Sequence, residues 1–174
     1  MSPLIRPACA TDIAAITAIY AHAVRHGTAS FEVDPPDEAE MRRRHAALVG
    51  AGHPYLVAEE GGAVRAYAYA GPYRTRPAYR WTVEDSIYVA PDAQGRGLGR
   101  LMLGRLIEEA EAAGRRLMVA VIGDAASTGS IRLHEACAFR HVGTLEGVGH
   151  KHERWLSSVL MQRSLGPGTS RPPG

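Results

Sequence analysis

Six residues in the middle of the chain, Gln94-Gly95-Arg96-Gly97-Leu98-Gly99, constrain the fold more than any others. On one side lies the run 81–90, which reads as a strand stopped by Pro91-Asp92. On the other, Leu98, Met102, Leu106 and Ala110 recur at helical spacing over about 98–113. Glycines let the backbone turn tightly, and the first turn of a helix leaves N–H groups unpaired with a partial positive charge. Strand, glycine turn and helix in that order make an anion site suited to a diphosphate. Arg96 and Arg100 would add charge. Three readings compete. A dinucleotide fingerprint needs G-x-G-x-x-G after the first strand and an acidic residue about 20 positions on, whereas the spacing here is G-x-G-x-G in mid-chain. A P-loop needs Gly-Lys-Ser/Thr, which is absent. The third reading is a turn that merely joins two elements, and the six residues alone do not dismiss it.

The flanking pattern supplies the rest of the fold. Residues 4–7 read as a first strand. A helix starts near Thr11-Asp12, carries Ile13, Ile16, Tyr20 and Val24 on one face, and stops at Gly27. A second helix runs from about Asp37 to Gly50 with Met41, His45 and Leu48 on one face. Tyr55 to Glu60 and Ala63 to Gly71 form a hairpin about Gly61-Gly62. Leu117 to Ile122 is a continuous apolar run typical of a buried strand. Ser130 to Cys137 is a short helix, and strands near 139–146 and 155–163 follow. Antiparallel hairpins with one strand–helix–strand passage over 81–122 predict an α+β domain with a mixed sheet. The domain is expected to occupy residues 1–165, with a flexible Pro/Gly/Ser-rich tail at 166–174.

Composition excludes several classes. A length of 174 residues fits one domain that can bury a core without disulfides. Cys9 and Cys137 sit in apolar stretches and read as two buried reduced thiols, suiting a reducing cytoplasm. No run of 18 apolar residues occurs, so no membrane span is expected. A net charge of +2 with interspersed signs does not argue for nucleic acid. His22 and His26 are four apart, but no third ligand is evident and no metal is expected. Arg42-Arg43-Arg44 reads as a solvated face, and His150 and His152 beside Lys151 as loop or pocket rim.

The glycine turn, set after Val83-Glu84-Asp85-Ser86-Ile87-Tyr88-Val89-Ala90-Pro91, resembles the acetyl-CoA pyrophosphate loop and central strand of the GNAT superfamily of N-acetyltransferases. Ser130-Ile131-Arg132-Leu133-His134-Glu135-Ala136-Cys137-Ala138-Phe139 resembles that family's next helix. Gly149-His150-Lys151-His152-Glu153-Arg154-Trp155 and Leu160-Met161-Gln162-Arg163 are similar to its phosphinothricin N-acetyltransferase branch. The resemblance covers about residues 3–165. It implies a twisted mixed sheet of about seven strands with about four helices packed on it. Two residues depart from the pattern: Ser127 stands near a customary Asn, and Ala138 replaces the Gly before Phe139.

The resemblance also implies roles. Acetyl-CoA would be the cosubstrate, held by Gln94, Gly95, Arg96, Gly97, Leu98, Gly99 and Arg100, by Ser127 and Ser130, and by backbone of Ile87, Tyr88 and Val89. A backbone N–H near Val89 would polarise the thioester carbonyl. Glu84, Ser86 and Tyr88 share one strand face by alternation, while Asp85 faces away and reads as structural. An amine must lose a proton before it attacks, and Glu84 is placed to accept it. His134 is either the acid that protonates the departing thiolate or a packed helix histidine. Arg74 or Arg76 would grip an α-carboxylate, with Tyr79, Ser86 and Phe31 also lining the acceptor pocket. The expected reaction moves an acetyl group to the α-amine of a small amino acid or analogue, of the phosphinothricin, methionine sulfoximine or methionine sulfone type, by direct attack. Acceptors such as protein N-termini, polyamines or aminoglycosides would favour an acidic pocket instead, and a non-catalytic acyl-CoA sensor could dispense with Glu84 and His134. A homodimer is implied, with neither nucleic acid nor membrane as partner.

Overall fold

Why the chain splits into two layers about one sheet is visible in its central strands. A computed structural model describes residues 3–173. Its strands are β1 (Leu4–Pro7), β2 (Tyr55–Glu60), β3 (Ala63–Pro72), β4 (Thr82–Val89), β5 (Leu117–Gly123), β6 (Arg140–Lys151) and β7 (Arg154–Ser164). The helices are α1 (Ile13–His26), α2 (Glu38–Gly50), α3 (Leu98–Ala112) and α4 (Thr128–Ala136). The seven strands form one sheet in the order β1-β2-β3-β4-β5-β7-β6. Only β4 and β5 pair in parallel, joined by α3, as the mixed pattern predicted.

Alternation sorts the strand residues onto two faces. Tyr67 and Tyr69 of β3 pair with Tyr88 and Ser86 of β4, and Gly71 pairs with Glu84. That face meets α1 and α2: the Tyr20 ring lies 5.0 Å from Tyr88, and Leu48 approaches Gly71. Ala66, Ala68 and Ala70 pair with Val89, Ile87 and Asp85 on the opposite face. There α3 and α4 pack, and the alanines, all fully buried, let α3 come close. Its buried face is Leu98, Met102, Leu103, Leu106, Ile107 and Ala110.

Helix α1 buries Ile13, Ile16, Tyr20 and Val24, the four positions its spacing selects. Asp37 caps α2 by accepting the Glu40 N–H at 2.8 Å. This helix buries only Met41, so its grip on the sheet is slight.

Two boundaries differ from the sequence expectation. β6 continues to Lys151 instead of ending near 146. Gly143, Gly147 and Gly149 mask its strand signal, and pairing with β7 carries it past register shifts at His141/Gly143 and Leu145/Gly149. His150 and Lys151 are therefore strand residues, and the turn is His152-Glu153, both at positive φ. Helix α4 begins at Thr128, two residues early. After β7 the chain turns back over residues 166–173: Gly168 N–H donates to Leu165 O, and Arg116 Nη2 to Pro172 O at 3.4 Å. The last residue of the expected tail lies outside the described residues.

Candidate active site

Strands β4 and β5 are hydrogen-bonded only from Thr82–Glu84 to Leu117–Val119, and then part. A cleft of about 590 Å³ occupies the gap. It runs from Glu84 along β4 to the glycine loop and is closed on its far side by β5 and α4. Backbone alternation decides what β4 offers the gap. Ala90 N–H donates to Arg65 O, and Thr82 O accepts from Tyr73 N–H, so even-numbered residues turn their peptide groups toward β3. Ile87 and Val89 therefore turn theirs into the cleft. Tyr88 lines the cleft, but its peptide groups face β3. The Gln94 side-chain amide donates to Val89 O at 3.2 Å and fixes the strand end where the glycine loop begins.

The loop has the conformation that its composition demands. Gly95 (φ 72°) and Gly97 (φ 82°) both occupy the left-handed region, where a side chain is strained. Gly97 is the N-cap of α3, and its carbonyl accepts from Arg100 and Leu101 N–H. The open N-terminus of α3 thus points at the cleft with its dipole, an anion site. Gly99 faces Leu133 of α4, and a Cβ there would lie 3.3 Å from Leu133 Cδ2. Gln94, Gly95, Gly97, Leu98, Gly99 and Arg100 all line the cleft. Arg96 does not: its guanidinium pairs with Glu60 at 2.9 Å, away from the opening. Ser127 and Ser130 line the α4 side, with Ser127 Oγ donating to Gly123 O at 3.1 Å.

Glu84 lines the cleft at the point where β4 and β5 separate. Burial, and next the charge of Asp85, hold its carboxyl above the ordinary range. Asp85 faces α4, as alternation predicted, but it does more than pack. Its Oδ2 lies 3.0 Å from His134 Nε2, and both side chains are nearly fully buried. His134 Nδ1 lies 2.7 Å from Ser130 O. Both partners of the imidazole are acceptors, so the ring satisfies both only as imidazolium. Burial alone would lower its pKa, but the Asp85 bond and charge and the Ser130 carbonyl outweigh it and hold the ring above its ordinary value. Asp85 Oδ1 is buried with no partner. Sequence reasoning placed His134 but missed the pair, because residues 49 positions apart carry no local signal.

The acceptor residues divide. Ser86 lines the cleft, while Phe31, Arg74, Arg76 and Tyr79 stand outside its lining. Phe31 packs at the rim against two glycines: a Cβ on Gly123 would lie 2.9 Å from its Cε1, and Gly149 meets the other edge of the ring. The segment around Phe31 is tied on every side. Lys151, itself buried, donates from Nζ to Ser30 O at 2.7 Å, and burial lowers its pKa. The Ser30 hydroxyl meets the Tyr20 phenol at 2.8 Å, and Arg44 pairs with Glu32. Lys151 was not singled out as a site residue, since its partner lies 121 residues away. Arg74 lies over the rings of Tyr73 and Tyr79, at 5.1 and 5.9 Å, exposed to solvent. Among the described residues, no group of three His, Cys, Asp or Glu side chains could hold a metal ion.

Fold and cleft together define a protein that seats an extended, anion-bearing ligand in a parted sheet, with a half-buried carboxylate beside it. The family described as "Acetyltransferase (GNAT) family" matches over residues 16–139, and the chain belongs to it. A phosphinothricin N-acetyltransferase of Alcaligenes faecalis is 54% identical over 162 residues, 93% of this chain and 82% of that protein. An L-methionine sulfoximine/L-methionine sulfone acetyltransferase of Salmonella typhimurium is 43% identical over 92% of this chain and 94% of its own length. The crystal structure of a phosphinothricin acetyltransferase from Sinorhizobium meliloti in complex with AcCoA superposes with a TM-score of 0.97 at 46% identity, covering 100% of this chain and 94% of that one.

Proposed function

We propose that the protein transfers an acetyl group from acetyl-CoA to the α-amine of a small amino acid or amino-acid analogue. The observation that carries this reading is Glu84, a half-buried carboxylate set where β4 and β5 part. Its raised pKa brings it closer to that of the ammonium it must deprotonate, which favours proton transfer. Acetyl-CoA supplies the activated acetyl thioester. The glycine loop and the α3 N-terminus hold its diphosphate, and the peptide groups of Ile87 with the N–H of Val89, all facing the cleft, hold its pantetheine arm. The Val89 N–H is the donor placed to stabilise negative charge on a carbonyl oxygen there. His134 is the candidate acid, although delivering a proton requires it to release Asp85 or Ser130.

Arginines beside the pocket favour an acceptor with a carboxylate. Arg74 and Arg76 sit on the exposed loop that leads into β4, outside the cleft lining. Exposed Val142, Leu145, Val148 and Trp155 on the β6–β7 ribbon, with Phe31 and Val33 near its turn, supply the apolar surface for a two-fold homodimer. No helix among the described residues is long and apolar enough to cross a membrane. A cytoplasmic enzyme acting on a small molecule fits these features.

A thiol-release assay tests the reading. Amino acids should release CoA thiol in the presence of acetyl-CoA, and the matching amines without a carboxylate should do so at much higher KM. Arg74→Lys or Arg76→Lys keeps the charge but loses the planar fork. Losing a charged hydrogen bond worth about 1.5–3 kcal/mol should raise KM for the amino acid roughly 10- to 150-fold and spare the amine. Equal effects on both substrates at both positions remove the carboxylate clamp.

A further inference from the structure

The chain passes from β5 into α4 through Gly123 and Asp124, and both residues are built against the loop that leaves α1. Residues 27–31 of that loop lie across Gly123. A Cβ there would stand 2.5 Å from Thr28 O and 2.9 Å from Phe31 Cε1, so glycine lets the loop seat. Ala29 of the loop lines the cleft. Because the loop continues α1, it walls the cleft on the sheet face that carries Glu84. Residues 124–130 wall it on the opposite face, where Ser127, Gly129 and Ser130 line it.

Asp124 joins the two walls without lining the cleft itself. It is buried. Its Oδ1 accepts the Ala126 N–H at 3.0 Å, and its carbonyl accepts the Ser127 N–H at 2.9 Å, which turns the chain into α4. Its Oδ2 accepts the Thr28 hydroxyl at 3.1 Å and Arg154 Nη2–H at 2.7 Å. One carboxylate thus gives one oxygen to each wall. These bonds, that of Ala126 foremost, hold it below the usual carboxylate range. The backbone at Asp124 has a φ of 73°. Glycine would meet that conformation without strain, so the backbone alone does not call for a carboxylate.

The turn between β6 and β7 adds two ties. Lys151 Nζ donates to Ser30 O at 2.7 Å, and His152 Nε2 lies 3.3 Å from Gly27 O. Both reach the α1 loop alone. Among the described residues, Asp124 is the side chain that bonds both walls.

We propose that Asp124 is a positioning residue for the transfer, setting loop 27–31 and loop 124–130 at one spacing so that an amine at Glu84 meets the thioester across the parted strands. The assignment rests on the amino-acid reading above. The test measures acetyl-CoA affinity by calorimetry, and KM and kcat for methionine sulfone. It compares wild type with Asp124→Asn, Asp124→Gly, Thr28→Val and the double variant Thr28→Val/Asp124→Asn. Asparagine tolerates the left-handed backbone and keeps an oxygen for Ala126 N–H, but it sets an NH2 against the Arg154 guanidinium. Asp124→Asn and Thr28→Val should each raise KM for the sulfone about five- to tenfold, with kcat changed less and acetyl-CoA affinity unchanged. The double variant should match Asp124→Asn alone, because both changes act on one contact. Asp124→Gly removes both side-chain bonds without backbone strain, and should in addition weaken acetyl-CoA binding at least about threefold. A residue that only stabilises the fold would lower Tm and leave KM and affinity at wild-type values, and that result overturns the assignment. Full additivity of the Thr28 and Asp124 effects also overturns it, as does an acetyl-CoA loss in Asp124→Asn equal to that in Asp124→Gly. In each of these cases the amino-acid reading stands. A wild type that acetylates no amino acid overturns both.

Discussion

Replacing Glu84 with glutamine removes a proton acceptor and almost nothing else, because the side chain makes no hydrogen bond among the described residues and the two residues are nearly the same size. Removing a general base costs about 10²–10⁴-fold, or roughly 2.7–5.5 kcal/mol of transition-state stabilisation. The loss should fall on kcat, with acetyl-CoA affinity intact, since the glycine loop lies at the other end of the cleft. A pH profile sharpens the test. Burial and the Asp85 charge raise the Glu84 pKa in the folded protein. The wild-type rate should therefore fall on acidification at a pH above the ordinary glutamate range, and that acid limb should vanish in Glu84→Gln. Stability supplies a control of opposite sign. A carboxyl whose folded pKa exceeds its unfolded value makes ionisation destabilising to the fold above that pKa. Glu84→Gln should consequently melt no lower than wild type at neutral pH, and higher if the desolvation cost is large. Wild-type turnover in the variant below the amine pKa, or an unchanged acid limb, would refute Glu84 as the base.

Gly97→Asp places a carboxylate at a φ of 82° on the α3 N-cap, against the diphosphate site. Calorimetry should show acetyl-CoA affinity abolished and the ligand-induced rise in Tm lost; equal affinity in both proteins would disprove the loop assignment. Trp155 is the most exposed of the large apolar side chains at 71%. Trp155→Asp should shift a dimer to monomer by light scattering, and a monodisperse wild-type monomer at working concentration removes the dimer altogether.

Local signals and long-range ones separate cleanly in this chain. The glycine loop was legible because every requirement it meets is local: positive φ at Gly95 and Gly97, a strand before and a helix after. The faces of β4 were legible because alternation is strict, and it put Glu84 and Ser86 together and Asp85 opposite. What alternation could not give is the direction of each peptide group, which depends on which strand lies on which side. Tyr88 turned out to spend its backbone on β3 for that reason. Arg96 was read as a ligand for the diphosphate because it sits in the loop, but Glu60, 36 residues away, claims it. The glycines of β6 concealed a strand, and packing explains one of them: the Phe31 ring occupies the space of a Cβ on Gly149, while on Gly123 of β5 a Cβ would meet Thr28 O and the same ring. A packing demand from a distant loop thus overrode strand propensity.

His134 is where structure and chemistry make separable demands. The imidazolium held between Asp85 and Ser130 contributes stability that is fully present below the unfolded pKa, near 6.5, and is lost as pH rises through the higher folded value. Wild-type Tm should therefore decline on raising the pH above neutrality, and His134→Gln should abolish that decline. Removing one partner of a buried ion pair costs about 3–5 kcal/mol, so the variant should also melt well below wild type at pH 6. Catalysis by the same proton predicts a second signature. If His134 supplies the proton to the departing thiolate, the rate must fall on the alkaline side with the same pKa that governs Tm, and His134→Gln must lose both limbs together. A ring that only braces α4 against β4 would lose the stability limb alone, and the alkaline fall in rate would persist in the variant with its pKa unmoved. Measuring both profiles on the two proteins decides the matter, because a folding defect lowers the amount of active enzyme at every pH and cannot by itself erase a titration.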